Sequence, residues 1–148
     1  MAGDLEIIIS HNANTYISTH RVARLSTSDS KGQPHVIPIC YGFDGQYIYT
    51  ALDFKSKRVE FRKLKRVTNI LSNPQVAVVV DDFSEDWNDL SYILIIGHAK
   101  ILENGLKRDA GEKLLRAKYY QYFQFLTSGC PILKITPNKI IEWRNQPE

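Results

Sequence analysis

The sequence predicts an α+β domain that is mostly β, a six-stranded antiparallel β-barrel with flanking helices. Short runs rich in Val, Ile and Tyr recur along the chain and are separated by turn residues, which is typical of strands joined by short connections. Apolar residues at helical spacing are confined to three segments, near the N-terminus, before Pro74 and after Leu106. No internal repeat or linker divides the 148 residues, so residues 1–148 are expected to form one domain.

The chain is expected to open with a helix. Asp4 is a suitable N-terminal cap, because its carboxylate can accept hydrogen bonds from the first free N–H groups of a helix. Leu5, Ile8 and Ile9 would then form the apolar side of this helix.

Three strands are predicted next, at residues 22–27, 34–41 and 46–51. The Asp44-Gly45 pair between two apolar runs is a strong hairpin signal. Pro38 has no N–H to donate to a ladder, so its strand is expected at an edge, a bulge or a barrel seam. A seam where the ladder opens is a natural place for a flat ligand.

Positive charge is concentrated in the segment from Lys55 to Arg66. This segment holds seven Lys or Arg and one acid, Glu60, although the whole chain has a net charge of only +3. Such a focus favours an anion site over a general affinity for polyanions. Helical spacing continues to the Asn73-Pro74 stop, and residues 76–80 have the pattern of a buried strand. A helix that runs into a core strand can aim its cations at one place; a solvated helix face is the alternative interpretation.

The second half of the chain predicts an acidic loop and then mostly strands. Residues 81–90 surround Trp87 with acids, which is typical of a solvated connector or of a lid. Periodicity predicts a strand at 91–102, a helix at 106–125, and strands at 131–136 and 140–143. Gly97 is expected at a bulge or a close approach of two backbones, and Pro137-Asn138 at a turn.

Self-contained catalytic motifs are absent from the sequence. There is no Gly-x-Ser-x-Gly elbow, zinc-binding His-Glu-x-x-His, Walker loop or Gly-x-Gly-x-x-Gly fingerprint. An enzyme with this sequence would therefore rely on a cofactor for its chemistry. Cys40 and Cys130 lack metal-type spacing and are expected to be reduced and structural, with no metal site. Without a basic signal region or an apolar run of membrane length, a cytoplasmic protein that does not contact membranes is expected.

The order of these segments resembles the pyridoxamine phosphate oxidase-like split-barrel flavoproteins, and the resemblance spans nearly the whole chain. It rests on the strands at 22–27 and 33–39, the Asp44-Gly45 hairpin, the strand at 47–51, and the basic helix, Asn-Pro stop and core strand of residues 65–77. The loop at Asp86-Trp87, the cluster at 119–122 and the end at 140–143 resemble one subgroup of the family. That subgroup is thought to use the deazaflavin coenzyme F420 in place of FMN.

Membership would imply a split β-barrel homodimer with FMN or coenzyme F420 held in clefts at the subunit interface. Residues 36–39 would lie along the ring, Lys65 and Arg66 would bind the phosphate with Lys57 as a third cation, and Trp87 or Trp143 would cover the ring from the other subunit. The resemblance thus implies eleven cofactor-binding residues: Val36, Ile37, Pro38, Ile39, Tyr49, Thr50, Ala51, Lys57, Lys65, Arg66 and Trp87.

The function implied is an FMN- or F420-dependent oxidoreductase that transfers hydride to or from a small-molecule substrate. Pyridoxamine phosphate oxidation itself is not expected, because residues 142–146 lack the Arg-x-His signature of that oxidase. A non-catalytic flavin or haem carrier is the alternative. A nucleic-acid-binding barrel is a third class, supported only by the basic segment, and no nucleic-acid partner is expected.

Overall fold

The computed structural model describes residues 7–52 and 60–145, which form a curled antiparallel sheet flanked by helices. The strands are β1 (Ala23–Ser28), β2 (Pro34–Ile39), β3 (Gly42–Phe43), β4 (Ile48–Ala51), β5 (Gln75–Asp82), β6 (Ser91–Leu102) and β7 (Ile132–Arg144). The helices are α1 (His11–Thr19), α2 (Lys65–Ser72), α3 (Leu106–Lys118) and the short α4 (Tyr122–Phe125). The strand order is β2-β1-β5-β6-β7-β4-β3. The predicted α+β, mostly β class is confirmed, with seven strands rather than six.

The two longest strands, β6 and β7, form the spine of the sheet. Their pairing runs from Ser91 opposite Arg144 to Leu102 opposite Ile132, with a register shift between Ile96 and Gly97. A Cβ atom on Gly97 would lie 2.2 Å from the backbone oxygen of Thr136, so this position confirms both the predicted bulge and the close approach. The predicted turn at residues 137–138 is wrong, because these residues lie at the bulge and β7 continues through them without a turn.

The predicted hairpin at Asp44-Gly45 is confirmed. It joins β3 to β4, and Gly45 has a φ of +95°, which a residue with a side chain rarely adopts. The Asp44 carboxylate accepts hydrogen bonds from the backbone N–H groups of Gln46 and Tyr47 at 2.9 and 2.7 Å.

The sheet has a separate apolar core on each of two sides. The larger core fills the concave side, where α1 and α2 contribute the fully buried Ile17 and Val67. In the smaller core α3 and α4 pack against β4 and β7 through Leu115, Tyr122 and Tyr49. Burial of one Val, Leu or Ile side chain contributes about 1.5–3 kcal/mol of transfer free energy. Both cores therefore stabilise the strands that lie between them.

Two predicted helices differ from the observed ones. The N-terminal helix begins at His11, with the Ser10 hydroxyl accepting from the Ala13 N–H at 3.0 Å, and Ile8 is 99% exposed rather than part of an apolar face. The expected cap Asp4, and Leu5 with it, lie outside the described residues. The predicted helix at 106–125 divides into α3 and α4. Among the described residues, no helix is long and apolar enough to span a bilayer.

Candidate functional site

The first turn of α2 presents two cations at an open helix end. Lys65 and Arg66 are the first two residues of this helix; Leu64 precedes them without a side-chain cap, and the first turn contains no acid. The first N–H groups of a helix lack partners within it and carry the positive end of its dipole. This helix end is therefore suited to an anion such as phosphate.

Arg66 supports this interpretation because its Nε atom is buried and has no hydrogen-bond partner in the described part of the chain. Burial lowers the pKa of Arg66, although a guanidinium remains charged at neutral pH. A buried donor without a partner costs about 1–3 kcal/mol, a cost that a bound anion would remove. Lys65 is exposed beside it and adds a mobile point charge.

Two asparagines fix the orientation of α2 on the sheet. The Nδ2 atom of Asn69 donates to the Thr27 hydroxyl, and that of Asn73 donates to the Ser28 hydroxyl, each at 3.0 Å. Thr27 lies opposite His35 in the ladder between β1 and β2. The Asn69 Oδ1 and His35 Nδ1 atoms are also buried and have no partner among the residues described. Unsatisfied polar atoms are thus concentrated where α2 meets β1 and β2.

The edge strand β2, which neighbours the strand β1 on which α2 packs, carries unpaired backbone groups. It pairs with β1 alone, which confirms the expected edge position of Pro38. Pro34 and Pro38 have no N–H to donate, so they belong on the unpaired side, and the alternation of a strand places Val36 there too. The edge therefore offers one N–H, from Val36, between carbonyls. The Val36 side chain is 64% exposed, whereas Ile37 and Ile39 turn toward the core.

The β4 residues Tyr49, Thr50 and Ala51 are buried within the chain. The Tyr49 hydroxyl donates to Asp44 Oδ2 at 3.0 Å, and burial raises the pKa of this tyrosine. The Thr50 hydroxyl donates to the carbonyl of Cys40 at 2.7 Å, which brings β4 against the residue that follows β2. This hydrogen bond brings Thr50 close to the end of the predicted cofactor-binding segment 36–39, although β2 and β4 are not neighbours in the sheet. The assignment of these three residues to the cofactor site stays a prediction.

Trp87 lies at the other end of β5 from α2. It is 67% exposed in a short 3-10 helix, Trp87–Asp89, in the loop after β5, whereas α2 leads into the start of that strand. Eight strand residues span about 26 Å, so Trp87 of the same chain does not approach Arg66. Its predicted contact with a cofactor requires a second subunit and stays a prediction. Lys57 lies outside the described residues.

His35 and Asn69 also belong to this site, although the sequence patterns did not predict them. The spacing carried a signal for one of them, since Asn69 follows Arg66 by three residues and so lies on the same helix face. No group of three possible metal ligands is found within residues 7–52 and 60–145.

The half-closed antiparallel sheet, with its open edge strand and flanking helices, is a split barrel. The chain belongs to the pyridoxamine 5'-phosphate oxidase family, which matches residues 9–144. This confirms the resemblance and the fold class predicted from the sequence.

Solved structures of low sequence identity share the fold. A conserved hypothetical protein from Mycobacterium tuberculosis, Rv2991, is 17% identical over 99% of this chain and 91% of its own, with a TM-score of 0.72. An F420 reductase is 18% identical over 90% of this chain and 98% of its own, with a TM-score of 0.65. HutZ, a haem storage protein from Vibrio cholerae, is 12% identical over 83% of this chain and 86% of its own, with a TM-score of 0.58. Comparison with curated proteins finds no match.

Proposed function

We propose that this protein is an oxidoreductase that binds FMN or coenzyme F420 and transfers hydride to or from a small organic substrate. The observation that carries the proposal is the buried Nε of Arg66 at the uncapped start of α2, which has no hydrogen-bond partner among residues 7–52 and 60–145. A phosphate group supplies the acceptor that this donor lacks. Family membership and the likeness to an F420 reductase point to the same class of cofactor.

The residues of the chain bind and orient, and the cofactor supplies the hydride chemistry when bound. Arg66 and Lys65 hold the phosphate with the N–H groups of α2. The Val36 N–H and the neighbouring carbonyls of β2 would bind polar groups on the edge of the cofactor ring. Ala51 and its neighbours on β4, although buried in the single chain, would lie close to the cofactor, and Lys57 would be a third cation for its phosphate.

We further propose a homodimer in which a second copy contributes Trp87 to the cleft. This copy would cover the convex face of the sheet, which is the side of β6 and β7 opposite the larger core. Tyr92 and Trp143 are stacked on that face with ring centroids 5.3 Å apart, and their side chains remain 36% and 41% exposed. Ile96 and Ile141 are exposed beside them at 39% and 36%. A contiguous apolar face of this kind marks an interaction surface. Neither cysteine forms a disulfide in the described part of the chain, in accord with a cytoplasmic location.

Separate fluorescence titrations of the purified protein with FMN and with coenzyme F420 test the cofactor assignment. We expect saturable binding of at least one, with one bound cofactor per chain. Tighter binding of F420 assigns the deazaflavin, and tighter binding of FMN assigns the flavin. Binding of neither contradicts the proposal. Reduction of the bound cofactor, followed by its reoxidation by an added substrate, separates an oxidoreductase from a carrier.

A haem carrier is the second candidate, and one observation favours it. His98 lines a cavity of about 600 Å³ on the convex face, with the apolar Ala77 and Ile96 as neighbours. Imidazole is a common axial ligand of haem iron, and the similar HutZ is a haem storage protein. Titration with hemin, monitored by its Soret absorption, tests this function. A shifted Soret band that is lost in His98→Ala supports it, and an unshifted band contradicts it.

A further inference from the structure

A second cavity, of about 280 Å³, lies at the elbow between α3 and α4. None of its lining residues belongs to α2 or to the convex face of the sheet. Its walls are four aromatic rings, one cation, one amide and one thiol, from Tyr119, Tyr120, Tyr122, Phe125, Arg21, Gln121 and Cys40.

The aromatic wall is held in place before any ligand binds. The Tyr119 hydroxyl donates to the carbonyls of Arg21 and Tyr41 at 2.7 and 3.1 Å and accepts from the Tyr41 N–H at 3.1 Å. The Tyr119 ring lies 5.3 Å from that of Tyr122, tilted by 48°. A preformed wall of this kind favours a flat ring, because little conformational freedom is lost on binding.

Positive charge lies on one side of the cavity. The Arg21 guanidinium lies 4.7 Å from the Tyr119 ring centroid, and its Nη2 donates to the Lys118 carbonyl at 2.8 Å. Its other N–H donors have no partner within the described residues. The Lys118 amine is nearby, 4.0 Å from the Tyr41 ring centroid. None of the described residues that line the cavity is a carboxylate, so its charge favours an anion.

We propose that this cavity binds a small planar aromatic anion, such as an aryl carboxylate. The ring packs against Tyr122 and Phe125, and the carboxylate accepts two parallel hydrogen bonds from Arg21. The volume is near the lower end of ligand pockets, about 300–1,000 Å³, which limits the ligand to one or two fused rings. Cys40 follows β2 directly, so the ligand lies beside the end of the strand proposed to bind the cofactor ring. Binding of the ligand is independent of the proposed oxidoreductase function. Only its role as the redox substrate rests on that function.

Calorimetric titration of the protein without added cofactor tests the site. The probes are 2-naphthoate, its neutral analogue 2-naphthamide and the non-aromatic anion cyclohexanecarboxylate. We expect 2-naphthoate to bind at least about tenfold more tightly than either analogue, because only it offers both a ring and a charge. Equal affinity for the amide overturns the anion assignment, and absence of saturable naphthoate binding overturns the site. Because no flavin is present, either result leaves the cofactor proposal untouched.

Two matched pairs of variants locate the binding. Arg21→Gln is compared with Arg24→Gln, since Arg24 is also exposed but pairs with Asp81 on β5. Tyr120→Ser is compared with Phe123→Ser, since both rings are exposed, at 78% and 68%, and only Tyr120 lines the cavity. We expect about a tenfold loss of naphthoate affinity in the first member of each pair and little change in the second. Equal effects within both pairs overturn the proposal.

The thiol of Cys40 provides a reporter that requires no substitution. Cys40 is partly exposed in the cavity, whereas Cys130 is 1% exposed and serves as an internal control. We expect 2-naphthoate to slow alkylation of Cys40 by iodoacetamide, as followed by peptide mass spectrometry. An unchanged rate at saturating naphthoate overturns the proposal. Protection that rises with protein concentration alone shows that a second copy covers the cavity, which overturns it as well.

Discussion

The buried side-chain amide of Asn69 donates a 3.0 Å hydrogen bond to the Thr27 hydroxyl, across the boundary between α2 and β1. These two polar side chains are only 1% and 2% exposed. The bond fixes the rotation of α2 about its axis, and Arg66 lies on the same face one turn earlier. The position of Arg66, which we propose to bind the cofactor phosphate, therefore depends on the hydrogen bond between Asn69 and Thr27.

Thr27→Val should destabilise the fold by about 1–3 kcal/mol, because it leaves the Asn69 amide buried without an acceptor. Urea unfolding measures the loss. The control is Thr68→Val on α2, whose exposed hydroxyl donates to the Lys65 carbonyl within the same helix. The control should change the free energy of unfolding by less than about 0.5 kcal/mol. Equal losses in the two variants would show that the buried bond has no special importance.

Lys65→Ala combined with Arg66→Ala should weaken cofactor binding far more than it lowers fold stability. The Arg66 Nε atom has no partner in the described part of the chain, so its removal breaks no hydrogen bond of that atom. Loss of two phosphate ligands should reduce affinity at least about a hundredfold, since hydrogen bonds to charged groups contribute about 1.5–3 kcal/mol each. Calorimetric titration and thermal melting measure the two effects.

The control for this pair is Arg62→Ala combined with Lys63→Ala in the neighbouring 3-10 helix. There Arg62 already pairs with Glu60 and Glu103, so its charge is not available to a cofactor in the same way. A parallel loss of affinity and stability in the Lys65 and Arg66 variant would show that this pair is structural.

Local patterns in the sequence predicted the elements that carry a clear local signal, such as a long apolar run or a turn-forming pair. The strand at 91–102 was predicted with the observed bounds, because apolar residues dominate a long run. The Asp44-Gly45 hairpin followed from turn chemistry alone, since Gly45 supplies the positive φ that the connection needs.

Long-range contacts explain where these patterns failed. The expected single helix at 106–125 breaks near Tyr119, whose hydroxyl bonds backbone groups of Arg21 and Tyr41, far away in the sequence. The partnership of Asn69 with Thr27 likewise joins residues separated by 42 positions. Helical periodicity carries no information on such partners. The burial of Arg66 and the elbow cavity therefore emerged only from the fold.

Gly97→Ala should be among the most destabilising single substitutions in the sheet. Its Cβ would lie 2.2 Å from the Thr136 backbone oxygen, and the ladder holds that oxygen in place. We expect a loss of about 3 kcal/mol or more in urea unfolding, at the upper end of overpacking effects. Gly111→Ala is the comparison, because its nearest contact is the Tyr49 ring at 2.8 Å, a side chain that can shift. A larger loss for Gly111→Ala would contradict this explanation.

The amine of Lys118 lies in a setting that disfavours its charge. It donates to the His20 carbonyl at 2.5 Å, beside the Tyr41 and Tyr119 rings, with Cys40 and Arg21 as its titratable and charged neighbours. Burial, with a smaller contribution from the Arg21 charge, lowers the pKa of Lys118 from 10.5 to about 8. Between these two values the unfolded chain keeps a proton that the folded chain has released. The contribution of Lys118 to the free energy of unfolding therefore increases as the pH rises above 8.

Wild type and Lys118→Met should accordingly diverge in stability as the pH rises. This increase in stability with pH ends near pH 10. Burial raises the pKa of Tyr41 and Tyr122, so above that pH these tyrosines ionise in the unfolded chain before they do in the folded one, which opposes folding. Urea unfolding at about pH 7.5, 8.5 and 9.5 should show the free energy of wild type rising relative to that of Lys118→Met. Lys113→Met, which removes an exposed amine from the same helix, should show a constant difference from wild type. A constant difference for Lys118→Met as well would mean that the Lys118 amine is solvated as fully in the folded chain as in the unfolded one.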